Sequence, residues 1–111
     1  MSSSVSGSRP GSRPDATTST DERLAAELRR GDLDALGEIY RRHGGMVAAA
    51  IRRAAPEVAD DQLEELRQDV FLALPRAVRR YRERTRFRAW LYGIATRRAQ
   101  DWRRRHWNRR R

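Results

Sequence analysis

The sequence predicts an all-α protein: a small bundle of about four helices behind a disordered N-terminal tail. Two observations carry this expectation. From residue 21 onward, apolar residues recur every three or four positions, the spacing that gathers them on one face of a helix. Short breaks at Gly31-Asp32, at Pro56 and at Arg82 to Arg86 divide that pattern, and each has the chemistry of a helix end. With 111 residues there is room for one domain, expected over 21–111.

Residues 1–20 are dominated by Ser, Thr, Gly, Pro and Arg, and they carry Gly-Ser-Arg-Pro at 7–10 and again at 11–14. Too little can be buried there to offset the entropy of ordering, so the expectation is a low-complexity tail with at most an electrostatic role. A first helix should follow Thr20 as cap, with Asp21 and Glu22 against its positive end, Leu24 and Leu28 as its stripe, and Gly31 as its stop. Asp32 then caps a second helix whose apolar positions run Leu33, Leu36, Tyr40, Met46, Val47, Ala50, Ile51 and Ala54. Gly44-Gly45 falls inside that run without shifting its phase, which predicts a kink and not a break.

Asp61 followed by Glu64 resembles a capping box and opens a third helix. Its inward residues are Leu63, Leu66, Val70, Leu74, Val78 and Tyr81. Pro75 removes the bond its amide would donate to the Phe71 carbonyl, so a bend is expected near 71–75. Arg82 to Arg86 form a polar connection with Thr85 as cap, and a fourth helix carries Phe87, Trp90, Leu91, Ile94 and Ala95 at core spacing.

Charge is divided along the chain. All 25 basic residues are arginine, and the net charge is +10. Residues 21–75 hold 12 acids and 8 arginines, whereas residues 76–111 hold 15 arginines against Glu83 and Asp101 alone. A basic block attracts phosphate and releases counterions on binding; an acidic helical body repels nucleic acid and suits a protein partner. Two faces for two partners is the inference.

Other classes lack support. Cysteine is absent, which excludes disulfides and thiolate metal sites and fits a reducing, cytoplasmic setting. No apolar run approaches the roughly 20 residues of a membrane span, and residues 1–20 lack the apolar centre of a secretory signal. His43 and His106 stand far apart without matched carboxylate spacing, so no metal site is expected. No nucleophile and base constellation or phosphate-cradling glycine loop is present, so neither an enzyme nor a cofactor is expected.

The fourth helix changes character at Arg97. From there to Asn108 arginine occupies nearly every face, interleaved with Gln100, Trp102, Trp107 and Asn108. One reading is a solvated, fraying helix end whose arginines complement the negative terminus of the dipole. The interleaving fits better a surface that holds phosphates and stacks on or bonds to bases.

At these residues a family resemblance emerges. Phe87-Arg-Ala-Trp90-Leu91-Tyr92-Gly-Ile94-Ala95, with Asp101 and arginines downstream, is similar to the junction of regions 2.3 and 2.4 in sigma factors of the extracytoplasmic-function group. Glu64-Glu65-Leu66-Arg67-Gln68-Asp69-Val70-Phe71-Leu72 resembles their region 2.2. Gly31-Asp32, Ala35-Leu36 and Ile39-Tyr40 resemble their first helices. These motifs cover about residues 21–107 in family order.

The resemblance implies a non-enzymatic region 2 domain that binds RNA polymerase and melts promoter DNA. Region 2.2 docks on the coiled-coil clamp helices of the polymerase beta-prime subunit, a role that passes here to Glu65, Gln68, Asp69 and Leu72. On composition alone, Glu65 and Asp69 would merely solvate the back of a core helix. The loop before Phe-x-x-Trp captures a base flipped from the non-template strand at the minus-ten element. That assigns DNA binding to Tyr81, Arg82, Arg84, Thr85, Arg86 and Phe87, with Tyr81 and Phe87 offering aromatic surface. Arg97, Arg98, Gln100, Asp101, Arg104 and Arg105 complete the set.

Two departures stand out. Arg97 replaces the family's usual asparagine and shifts the preference from adenine toward guanine edges or phosphates; Glu65 replaces a usual aspartate and keeps its charge. An anti-sigma inhibitor covering either face is a further family expectation. The family pairs this domain with a region 4 that reads the minus-thirty-five element, and nothing after Arg111 supplies it, so the expectation is a chain cut short before that domain. A competing reading is a general arginine-rich nucleic-acid binder with no polymerase partner. A membrane-surface helix over 97–111 would need an apolar face that is absent.

Overall fold

A computed structural model describes residues 12–110. Its helices are α1 (Ser12–Arg29), α2 (Leu33–Ala54), α3 (Asp60–Ala77) and α4 (Phe87–Arg110), with a 3-10 turn over Val78–Arg80 between the last two. The all-α expectation is borne out, and no strand occurs among the described residues. None of these helices is long and apolar enough to cross a membrane.

α1 begins at Ser12 where a start after Thr20 was expected. Thr20 carries a capping side chain but no obligation to cap, and Pro14 falls in the first turn, where a missing N–H costs no intrahelical bond. The rest of the expected tail, residues 1–11, lies outside the described residues.

The junction of α1 and α2 follows from two residues. Gly31 adopts φ +96°, its N–H donates to the Leu28 carbonyl at 2.9 Å, and the Asp32 N–H reaches the Glu27 carbonyl at 3.0 Å. This is the paired bonding by which a left-handed residue closes a helix. Asp32 starts the next helix in the same step, its side chain accepting from the Asp34 N–H at 3.0 Å.

α2 runs unbroken through Gly44-Gly45. Val47, Ala50 and Ile51 are buried as expected, but the first half of its face differs: Ala35, Ile39, His43 and Gly44 point inward. Leu33 is 63% exposed, and Leu36 and Tyr40 are only partly buried. Counting large apolar residues hid a stripe completed by small residues and one histidine. That histidine is buried against α1, with His43 Nε2 3.0 Å from the Asp21 carboxylate and Arg42 Nε at 3.3 Å from the same oxygen.

α3 is capped by Ala59 and not by Asp61. The Ala59 N–H donates to the Gln62 side chain at 3.4 Å, half of a capping box that an alanine methyl cannot reciprocate. The helix passes through Pro75 to Ala77 and then tightens into the 3-10 turn, so the proline's effect falls downstream of residues 71–75. Leu24, Leu28, Ile39, Val47, Ile51, Val70, Leu74, Phe87, Leu91 and Ala95 form the core common to all four helices.

Tyr81 fastens the chain between the 3-10 turn and α4. It is 3% exposed, and its ring packs 5.5 Å from Phe87 and 5.0 Å from Trp90. Its hydroxyl sits between the Glu22 carboxylate of α1 and the Thr85 carbonyl, 2.6 Å from the latter. Arg29 reinforces this by donating to the Val78 and Tyr81 carbonyls, each at 3.3 Å. With the Thr85 carbonyl so used, α4 is capped at Arg86, whose carbonyl accepts the Trp90 N–H at 2.9 Å. Burial, and then Glu22, push the Tyr81 phenol well above its ordinary range.

Two outcomes follow from these contacts. Gly31→Ala meets no atom within 4 Å, so only the left-handed backbone resists it, and urea unfolding is expected to show a loss of about 1–2 kcal/mol. Tyr81→Phe orphans a part-buried carboxylate and a carbonyl and is expected to cost about 1–3 kcal/mol at neutral pH. The folded chain holds this phenol protonated above its usual pKa of 10.0. Its stabilisation is therefore whole below about pH 10 and fades as pH rises past it. Thermal unfolding across alkaline pH should show a shallower decline in the Phe variant than in wild type.

Candidate nucleic-acid cleft and docking face

Where the end of α3 crosses α4, the two helices leave a cleft of about 930 Å³. Half-buried Pro75, Trp90 and Ile94 form its apolar floor with exposed Leu72 at one edge, and Arg76, Arg80, Arg97 and Arg98 also line it, opposed by Asp101 alone. Two residues past Pro75, α3 gives way to the 3-10 turn, and Tyr81 packs against Trp90 at this corner. A cleft with four guanidiniums around a half-buried indole can hold a phosphate backbone at its rim and an aromatic ring at its floor. Arg97 lies back along α4, its Nη1 3.7 Å from where a Cβ on Gly93 would stand.

The expected DNA-binding residues do not share one surface. Arg97, Arg98 and Asp101 line this cleft. Gln100 and Arg104 line another, toward Ala54 at the end of α2, with Trp107 and Asn108. Arg105 lines a third, toward α3. The side chains of Arg82, Arg84, Thr85 and Arg86 are exposed on the loop beside Tyr81. Tyr81 and Phe87 require a correction: both are buried, because Glu22 and the aromatic cluster draw them inward, so neither offers a face to a base. Sequence reasoning missed Arg76 and Arg80, which reach the cleft only through the packing of α3 on α4, and it assigned Trp90 to the core alone.

Earlier on α3, Glu65, Gln68, Asp69 and Leu72 are exposed on successive turns. Leu72, 72% exposed, borders an apolar groove of about 320 Å³ made with Leu36, Gly37, Tyr40 and Phe71. It also lines the basic cleft, so one leucine joins the two surfaces. Behind this face Arg67 locks α2 to α3. It donates to Glu64 at 2.7 Å and to the Gly44 carbonyl at 3.5 Å, and its guanidinium lies 5.2 Å from the Tyr40 ring centroid. The Glu64 hydrogen bond is the main cause that raises the Arg67 pKa, so this lock holds its charge at any ordinary pH.

Comparison with known proteins places these surfaces in context. Residues 39–109, which contain both the docking face and the cleft, match the family described as Sigma-70 region 2. The RNA polymerase sigma factor NccH of Alcaligenes xylosoxydans xylosoxydans is 34% identical over 86 residues. That stretch takes up 78% of this chain and 45% of the relative, so the chain spans less than half the relative's length. No solved structure gives a significant match.

Proposed function

The chain belongs to the sigma-70 region 2 family, where the resemblance to the extracytoplasmic-function sigma factors placed it, and on that premise we propose that it acts in transcription initiation through two adjoining surfaces. Glu65, Gln68, Asp69 and Leu72, with the groove beside Leu72, dock on the clamp helices of the polymerase beta-prime subunit. The cleft around Trp90, with the loop arginines Arg82, Arg84 and Arg86, takes the non-template strand of the minus-ten element in the cytoplasm and captures an unstacked base. Extracting a base costs a few kcal/mol, and stacking returns about 1–3 kcal/mol per base. Binding of the correct sequence thereby drives melting, with no bond made or broken in the DNA.

The observation that carries this reading is the basic, aromatic-floored cleft sharing Leu72 with an acidic and apolar face. A general arginine-rich binder needs the first of these surfaces and not the second. The docking arm predicts that the chain binds an isolated clamp-helix fragment at moderate salt, and that Gln68→Ala with Asp69→Arg abolishes the binding while circular dichroism stays unchanged. Absence of wild-type binding would remove the polymerase from the proposal. The DNA arm predicts tighter binding to one minus-ten-like single strand than to its scrambled version, with Arg80→Ala and Arg97→Ala each lowering the salt slope by about 1. Equal affinity for every sequence would support the general binder instead.

A further inference from the structure

In the strand-capture reading α1 touches no DNA, yet two of its side chains hold the loop on which capture depends. The Arg29 guanidinium donates from Nε to the Val78 carbonyl and from Nη2 to the Tyr81 carbonyl, each at 3.3 Å. Both acceptors lie where the 3-10 turn ends and leaves carbonyls without an intrahelical partner. Glu22 holds the other side of the loop. The Tyr81 hydroxyl lies between its Oε2 and the Thr85 carbonyl, 2.6 Å from the latter, and the Thr85 N–H returns to the Arg82 carbonyl at 3.2 Å. Residues 81–85 thus form a closed turn pinned to α1 at its start and at its end.

Glu22 carries this contact at a cost, because its Oε1 is buried without a hydrogen-bond partner. What it fixes is the place of the Tyr81 hydroxyl and, through it, of Thr85. Beyond that turn the side chains of Arg82, Arg84 and Arg86 are exposed and enter no hydrogen bond or ion pair among the described residues. Arg103 and Arg104, by contrast, are held at their charged ends by Glu57 and Asp101. The direction of the three loop arginines is therefore set by the backbone path alone. The same turn seats the indole, since the Tyr81 ring packs 5.0 Å from Trp90.

We propose, on the reading that this loop and cleft take a single strand, that Glu22 and Arg29 are positioning residues for base capture. They act through the Tyr81 turn and fix how far the loop arginines stand from the Trp90 indole. Attraction of phosphate needs only charge near the strand. Stacking one base on the indole while the flanking backbone is held needs both groups at a set separation, which a braced turn supplies in advance. Loss of the α1 contacts therefore falls on sequence preference and spares general affinity for single strands.

The test measures, by fluorescence anisotropy, binding of the whole chain to a labelled minus-ten-like single strand and to its scrambled version, below the melting temperature of every variant. Glu22→Ala is expected to lower the ratio of the two affinities about fivefold, the lower end of what one base stack contributes. Its affinity for the scrambled strand should change by less than about twofold. Glu22→Gln removes the same charge but keeps a group that can meet the Tyr81 hydroxyl, so it should hold the wild-type ratio. Arg29→Lys keeps its charge but loses the fork that reaches both carbonyls, and should lower the ratio as Glu22→Ala does. Ile51→Val, which thins the buried face of α2, is the control for stability: its melting temperature falls while its ratio stays. A ratio unchanged in Glu22→Ala and Arg29→Lys, or lowered as far in Glu22→Gln or Ile51→Val, overturns the proposal and leaves the capture reading standing. A wild-type chain that binds both strands equally overturns the capture reading, and the role of Glu22 and Arg29 with it.

Discussion

The hydroxyl of Tyr81 governs how the two halves of this chain meet. It stands between a carboxylate from α1 and the carbonyl of Thr85, so one side chain fixes the exit of α3, the path of the loop and the entry of α4. The Tyr81 ring sets the position of Phe87 and Trp90, and Trp90 is the aromatic floor of the basic cleft. Without this node the loop would be five exposed residues on a polar tether. With it, Arg82, Arg84 and Arg86 project from a braced turn. Bracing matters because a preorganised site loses less entropy when it takes hold of a flexible strand.

α1 therefore has a larger part than its place in the sequence suggests. Asp21 receives His43 and Arg42 from α2, Glu22 receives Tyr81, and Arg29 caps the carbonyls of Val78 and Tyr81. Most of these polar contacts are part-buried or buried, where losing one partner costs more than the bond itself contributes. A domain without cysteine and with a thin apolar core gains its precision from such contacts. They lie on the side of the bundle that positions the loop.

What could be read in the sequence was what local chemistry determines. Gly31-Asp32 announces a stop and a start because both rest on the backbone preferences of two adjacent residues. The fourth helix and its change of character at Arg97 were equally plain. The stripe of α2 was read rightly at Val47, Ala50 and Ile51 but misjudged in its first half, because Ala35, Gly44 and His43 fill core positions that hydropathy undervalues. The spacing of Tyr81 and Phe87 already placed both inward, and only the family resemblance turned them toward a base; the contact that fixes Tyr81, with Glu22, spans 59 residues and could not be read. The membership of the cleft was hidden for the same reason: Arg76 and Arg80 are ordinary arginines at the end of a helix until packing sets them opposite Arg97. Repeating arginines also concealed that neighbours on α4 face different elements, which a helical projection separates but cannot name.

The basic block sits where a helix tolerates it best. Fifteen arginines lie between residues 76 and 111, and a run so charged would be a poor isolated helix, since like charges four residues apart repel. In α4 the nucleus is supplied by Phe87, Leu91 and Ala95, which are held in the core, and extending a helix from an existing nucleus is far easier than starting one. The arginines from Arg97 to Arg110 follow that nucleus, and those of the last turn meet the negative end of the helix dipole. They complement that terminus without being neutralised by it, so a rigid rod carries cations past the apolar core. The same placement lets one helix pass from core-facing to charged turns: what each turn meets is set by what α2 and α3 present opposite it, and not by the turn's own composition.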